Sequence, residues 1–366
     1  MFNSFYKEKK VLLTGHTGFK GSWLTSWLLK LGAEVVGVSK DVPTNPSMFG
    51  DLNLVSMITH YVCDIRELGH LSEIVLKEKP DIIFHLAAQP IVSVSYSDPI
   101  ETITSNVVGT MNLMETLRSI DWHCAVVLIT SDKSYDNVEW VWGYKETDAV
   151  GGKDVYSGSK GAAELIIKSY YHSFFSGKNQ FVNLAVGRAG NVIGGGDWAK
   201  DRIIVDTVKS WANNHPVEIR CPGATRPWQH VLEPLSGYLV LGAKLYGKNK
   251  IVGEAFNFGP RAEQNRSVID LLNSMSNFWE PSLPESNYII TDNIPFKEAG
   301  LLKLNCDKAL FYLDWDATLN YDETVKFTGE WYSNYYSKST DMLNFTYQQI
   351  QDYEAKAICR GAAWSV

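Results

Sequence analysis

The sequence predicts an α/β protein: a doubly wound parallel sheet joined to a smaller C-terminal lobe of mixed α+β structure. Three observations carry this reading. Strand-length runs of Val, Ile and Leu alternate with stretches of helical period through the first half of the chain. A glycine-dense turn, "TGHTGFKG", joins the first run to the first helical stretch, and the alternation stops near residue 190. Parallel strands read as unbroken apolar runs because crossover helices cover both faces of their sheet.

Taken in order, "KKVLLTG" (9–15) is the first strand. The next stretch, "GFKGSWLTSWLLKLG" (18–32), sets Trp23, Leu24, Trp27, Leu28 and Leu31 on one helical face. "EVVGV" (34–38), "HYVCD" (60–64), "DIIFHLA" (81–87), "AVVLITS" (125–131) and "FVNLAVG" (181–187) continue the strands. Helical patterns such as "LSEIVLKEKP" and "NVVGTMNLMETLRSI" separate several of them. His85, on an apolar strand, reads as a core histidine with its hydrogen bonds satisfied. Beyond the loop "NVIGGGDWAKDR" come a helix (203–213), a strand "VEIR" (217–220) and two further helices, "SVIDLLNSM" and "YDETVKFTGEWYSNYY". The first lobe is set at 1–190 and the second at 191–366, with the chain crossing between them.

Composition narrows the function classes. The chain has 366 residues, 45% hydrophobic and 20% charged, an ordinary globular balance. It holds no run of about 18 apolar residues, and "MFNSFYKEKK" lacks the features of a signal peptide, so a cytoplasmic protein without a membrane partner is expected. A net charge of -7 argues against a general binder of nucleic acid. Cys63, Cys124, Cys221, Cys306 and Cys359 are scattered with no Cys-x-x-Cys pair, so neither a disulfide framework nor a metal site is expected.

Two motifs carry chemistry. Gly15, Gly18 and Gly21 follow a strand and open a helix, the context of a dinucleotide-binding turn, where small residues let backbone approach a pyrophosphate at the helix N-terminus. Tyr156 and Lys160, four apart in "YSGSK", share a helical face. An ammonium beside a phenol stabilises the phenolate and brings a poor base into useful range. "TSDKSYDN" adds an adjacent acid and base, Asp132 and Lys133, at the C-terminal end of a strand, where a doubly wound sheet places its ligands. An adjacent Asp and Lys also reads as a pair of surface charges.

The G-x-x-G-x-x-G spacing with "YSGSK" resembles the extended short-chain dehydrogenase/reductase family of nucleotide-sugar enzymes, which have a Rossmann fold. "DIR" (64–66), "HLAAQ" (85–89) and Asn106 support the likeness. "TGHTGFKGSWL", "HLAAQP", "TSDKSYDN", "GGKDVYSGSKGAAEL", "GNVIGGGDWAKDR" and "RPWQHVLEPLSGYL" narrow it to the nucleotide-sugar 4,6-dehydratases, and the last two to the branch acting on CDP-glucose. They run in order through residues 11–240. The resemblance implies NAD as cofactor, held by Gly15, His16, Thr17, Gly18, Phe19 and Gly21. Asp64 and Ile65 would flank the adenine, and Leu86, Ala87, Ala88, Asn106 and Thr130 would line the ribose and nicotinamide side, with Tyr156 and Lys160. Ser39 and Lys40 stand where NAD-specific relatives often carry an acid, and Lys40 would also tolerate a ribose phosphate.

Where related dehydratases read Thr-Asp-Glu, this chain reads Ser131-Asp132-Lys133. The resemblance then implies that Ser131 orients the sugar's 4-hydroxyl, Tyr156 takes its proton, Lys133 removes the C5 proton and Asp132 protonates the departing C6 hydroxyl. Lys133 would be made neutral by lost water and the nearby Lys160, and Asp132 would be kept protonated. Gln89, Asn191, Arg202 and Arg226 would bind the substrate, the arginines its diphosphate. A homodimer or homotetramer, paired through the helices carrying Asn106 and Tyr156, and a place in deoxysugar biosynthesis for surface polysaccharide are implied as well. Another nucleotide-sugar dehydratase, a 4-epimerase, and a cofactor-sensing protein without turnover are the alternatives.

Overall fold

The computed structural model describes residues 1–177, 181–247, 250–261, 264–279, 281–291 and 302–366. Seven parallel strands form the central sheet: β1 (Lys10–Thr14), β2 (Glu34–Ser39), β3 (Thr59–Val62), β4 (Ile82–His85), β5 (Cys124–Ile129), β6 (Val182–Ala189) and β7 (Ala255–Phe258). Their spatial order is β7-β6-β5-β4-β1-β2-β3. The order reverses between β1 and β4, paired from Val11↔Ile82 to Thr14↔His85, and a ligand crevice opens beyond the carboxyl ends at such a reversal.

Each strand feeds two cores because successive side chains point to opposite faces. On one face Val11, Leu13, Ala125 and Val127 pack with Trp23, Trp27, Leu235 and Leu239. On the other, Leu12, Ile83, Val126 and Leu128 pack with Leu71, Leu113 and Ile167. Burying each of these large aliphatic side chains contributes about 1.5–3 kcal/mol. His85 is the satisfied core histidine expected: Nδ1 pairs with Thr14 Oγ1 at 2.7 Å and Nε2 with Thr110 Oγ1 at 3.3 Å.

After β6 the chain leaves the sheet and returns. Helix Leu232–Tyr246 packs under the sheet, and β7 extends the sheet beyond β6 from Ala255↔Val186 to Phe258↔Ala189. Smaller pairs lie outside it, including Thr225–Pro227 against Asn265–Ser267 and Val217–Ile219 alongside Tyr288–Ile290. The helices Tyr321–Ser337 and Met342–Cys359 contribute Tyr332 and Tyr353 to the core shared with Trp27. Among the described residues, no helix is long and apolar enough to cross a membrane.

Candidate active site

The glycine turn is built for close approach. Gly15 has φ +76°, and a Cβ there would lie 2.7 Å from the Ala87 backbone nitrogen; a Cβ on Gly21 would lie 2.1 Å from the Gly15 carbonyl oxygen. Gly18 caps the helix Phe19–Lys30 with no side-chain hydrogen bond, and the first amides of a helix have no acceptor within it. This cradle, at the sheet's reversal point, fits the pyrophosphate of a dinucleotide.

Several residues expected at the cofactor point elsewhere with their side chains. His16 is buried, with Nδ1 2.9 Å from Ser39 Oγ and Nε2 2.8 Å from His60 Nδ1, and burial followed by His60 lowers it to about 4. Thr17 Oγ1 donates to the Asp41 carbonyl at 2.7 Å. Phe19 packs at the edge of the core, Ile65 is buried, and Leu86, Ala87 and Ala88 line the turn after β4 half-buried. The Arg66 guanidinium holds both Asp64 oxygens and keeps that carboxyl below its ordinary range. Lys40 Nζ pairs with Glu101 at 2.6 Å, so its charge is already met by a carboxylate.

Two expected ligand contacts are turned inward. Asn106 sits in a π-helical turn, Thr104–Val108; its Oδ1 accepts from Gln89 N at 2.8 Å, and its Nδ2 donates to Gln89 O and Ser159 Oγ. Gln89 spends its side chain on the same corner: Oε1 accepts from Ile91 N, and Nε2 donates to Ile91 O and Thr102 Oγ1. A substrate contact by the Gln89 side chain is therefore not what this geometry offers. Asn106 and Gln89 instead lock the β4 turn to the helix that carries Tyr156.

That helix, Val155–Tyr170, starts cleanly because Asp154 accepts from Ser157 N at 2.9 Å. Its inward stripe reads Tyr156, Lys160 and Glu164, all buried. Facing it, a short turn follows β5: Ser131 Oγ accepts from Lys133 N at 3.2 Å and donates to Asp132 Oδ1 at 2.9 Å. The two elements converge. Lys133 Nζ and Lys160 Nζ each lie 5.9 Å from the centroid of the Tyr156 ring.

Electrostatics separate the groups. Burial raises the Asp132 carboxyl above its ordinary range, opposed by Lys133, the Ser131 hydroxyl and Lys20. Burial, and secondarily Lys20, lowers Lys160 to about 8. The expectation that Lys160 would make Tyr156 easier to ionise is not met: burial dominates and pushes the phenol up to about 12, with Arg202 and a Ser131 hydrogen bond pulling the other way. Lys133 is only half-buried, so it is less deprived of water than expected, and the second cation near Lys160 is Lys20.

Lys20 was not anticipated. Desolvation, then the charge of Arg202, lowers it to about 8, while Asp132 and Asp197 oppose this. The signal was available in "GFKG": a cation in the first turn of a helix opposes the macrodipole and needs a local reason.

A buried polar network backs the turn. Thr130 Oγ1 donates to Glu164 at 2.6 Å; Arg188 donates from Nε to both Glu164 oxygens, at 2.8 and 2.9 Å. Arg188 Nη1 also donates to Tyr135 OH at 2.6 Å, which donates to Asn257 Oδ1 at 2.8 Å. Thr130 and Tyr135 bracket Ser131–Ser134, so the network grips both ends of this turn. Beyond β6 lie Asn191, half-buried, Arg202, whose Nε is 3.3 Å from Asp197, and Arg226, whose Nη1 donates to the Thr225 carbonyl at 3.0 Å. Trp198 is buried against Tyr332 and Tyr335.

Residues 12–328 match the family model described as GDP-mannose 4,6 dehydratase. The chain is 45% identical over 353 residues to CDP-glucose 4,6-dehydratase of Salmonella typhimurium, covering 96% of this chain and 97% of that one. It is 25% identical to CDP-paratose 2-epimerase of Salmonella typhi, covering 89% and 99%. Among solved structures, dTDP-glucose 4,6-dehydratase of Bacillus anthracis in complex with NAD shares the fold at TM-score 0.71 and 19% identity, covering 92% of this chain and 99% of that one.

Proposed function

The chain belongs to the GDP-mannose 4,6-dehydratase family, and from that premise we propose that it is an NAD-dependent lyase converting CDP-D-glucose to CDP-4-dehydro-6-deoxy-D-glucose. The observation that carries the reading is the convergence of Asp132 and Lys133 with Tyr156 and Lys160 beside the glycine cradle. A 4-epimerase needs the Tyr and Lys pair but has no use for an elimination acid and base.

The turn of Gly15, Gly18 and Gly21 would hold the pyrophosphate of NAD, and Tyr156 and Lys160 its nicotinamide side. NAD, when bound, would supply a hydride acceptor for C4 and a hydride donor for C6. Tyr156, once ionised, accepts the proton of the 4-hydroxyl, which Ser131 orients; burial opposes that ionisation, and Arg202 and the Ser131 hydrogen bond favour it. The 4-ketone acidifies the C5 hydrogen; the Lys133 amine takes that proton, and Asp132, which burial keeps protonated more readily than an ordinary carboxyl, protonates the C6 hydroxyl, which leaves as water. Lys133 returns a proton to C5, and the proton gained at Tyr156 balances the one lost at Asp132. Arg202, Arg226 and Asn191 hold the diphosphate side.

The proposal extends to a cytoplasmic homodimer or homotetramer, paired through the helices around Asn106 and Tyr156. Apolar residues exposed there, Ile100 at 70% and Leu165 at 55%, support it.

Incubation with NAD and CDP-glucose, with dTDP-glucose and UDP-glucose alongside, tests the function. A 4-keto-6-deoxy product formed fastest from CDP-glucose is expected. A product that keeps its C6 hydroxyl would support an epimerase, and bound cofactor without any sugar product would support a sensor.

A further inference from the structure

A cavity of about 250 Å³ opens beside Asp132, walled by Val141, Trp142, Gly190, Pro227 and Pro260. It is smaller than the roughly 300–1,000 Å³ that holds a drug-sized ligand, and so takes one ring of a nucleotide sugar rather than the whole. Of the residues given a part in the reaction, Asp132 lies in its wall; on the dehydratase reading a ring beside Asp132 is the hexose, since ribose and diphosphate separate the base from the reacting carbons.

Trp142 is anomalous in this wall. It is 72% exposed, and among the described residues it makes no ring contact, whereas Trp140 packs on Tyr144 at 5.2 Å. Its backbone neighbourhood, by contrast, is firmly tied. Tyr144 N donates to the Lys303 carbonyl and Asn305 N to the Tyr144 carbonyl, both at 2.9 Å. Asn257 Nδ2 donates to the Tyr144 and Asn305 carbonyls, at 2.9 and 3.0 Å, and the same Asn257 holds Tyr135 of the catalytic turn. An exposed indole at the end of a rigid mount, joined through one amide to the acid and base, is an apolar platform held at a set distance from the chemistry.

We propose that Trp142 is a specificity-determining residue whose indole covers the apolar C–H face of the hexose lying against Asp132. This deepens the dehydratase reading and rests on it. The indole loses exposed apolar surface only when a sugar is attached to the nucleotide, so the contact discriminates CDP-glucose from CDP.

The test is calorimetric binding of CDP-glucose and of CDP to the NAD-loaded wild type, Trp142→Ala and Trp142→Phe, with wild-type turnover measured alongside. Trp142→Ala should weaken CDP-glucose about tenfold and CDP less than about twofold, and Trp142→Phe should recover most of the loss. Equal weakening of both ligands would place the indole on the nucleotide, and unchanged CDP-glucose affinity would place it outside the site; either overturns the inference. Wild-type protein that binds CDP-glucose but forms no 4-keto sugar fails the dehydratase reading instead, and leaves the Trp142 comparison legible from binding alone.

Discussion

Lys133 Nζ lies 5.9 Å from the centroid of the Tyr156 ring, and its charge also acts on the adjacent buried Asp132 carboxyl. An amine placed there reaches a hexose whose 4-hydroxyl meets Tyr156, because C5 is bonded to C4. Lys133→Met is therefore expected to lower kcat about 100- to 10,000-fold. Exchange of the C5 hydrogen with solvent should fall in step, while the Kd for CDP-glucose changes little. Exchange lost only in proportion to binding would remove Lys133 from the role of base.

The charge of Lys160 sets a pH limit. Its pKa is lowered to about 8, by burial first and Lys20 second. A lowered ammonium is fully charged below that value and loses its charge as pH rises through it. On the proposed reading the Lys160 ammonium holds the nicotinamide side of the cofactor, so its loss should lower kcat/KM, which reports the free protein, as pH passes about 8. Lys20→Met removes the like charge, Lys160 then holds its proton more firmly, and the falling limb should move to higher pH. A limb that stays in place when Lys20 is neutral assigns it to another group.

Local pattern made much of this legible. The strands announced themselves as apolar runs, the cofactor turn as glycines between strand and helix, and the Tyr156–Lys160 pair as neighbours four apart on one face. What stayed hidden depends on distance in sequence or on burial. Tyr135 bonds Arg188 across 53 positions and Asn257 across 122, separations to which no periodicity points. The resemblance implies a substrate contact for Gln89, yet the corner it occupies consumes its amide. For Tyr156 the sequence displayed the neighbouring ammonium but not the loss of water around the phenol, and the second effect is larger.

The Arg188–Glu164 pair is expected to matter for stability and for the catalytic turn together. Both side chains are buried, at 4% and 6% exposure, with Thr130 and Tyr135 attached to them. Arg188→Met leaves the Glu164 carboxylate without its cation and should cost about 3–5 kcal/mol in denaturant unfolding. Adding Glu164→Gln should recover a substantial part, since the unpaired charge is then gone. A double variant no more stable than Arg188→Met would show that packing, not charge pairing, dominates there.

Glu233 gives a pH dependence that is separate from catalysis. It is 1% exposed and accepts from Thr318 N at 2.8 Å, Leu319 N at 2.5 Å and Tyr353 OH at 3.1 Å, tying helix Leu232–Tyr246 to the C-terminal helices. Burial outweighs these donors and raises its carboxyl to about 7, against an ordinary value of 4.5. A carboxyl raised in the folded state binds its proton more tightly there than in the unfolded chain. Its contribution is therefore complete below about pH 4.5 and is lost as pH rises toward 7, by about 3 kcal/mol at about 1.4 kcal/mol per unit. Glu233→Gln cannot titrate, so the decline in unfolding free energy across that window should flatten in the variant while other groups keep their own slopes. An unchanged decline would mean that the backbone donors already hold Glu233 ionised throughout.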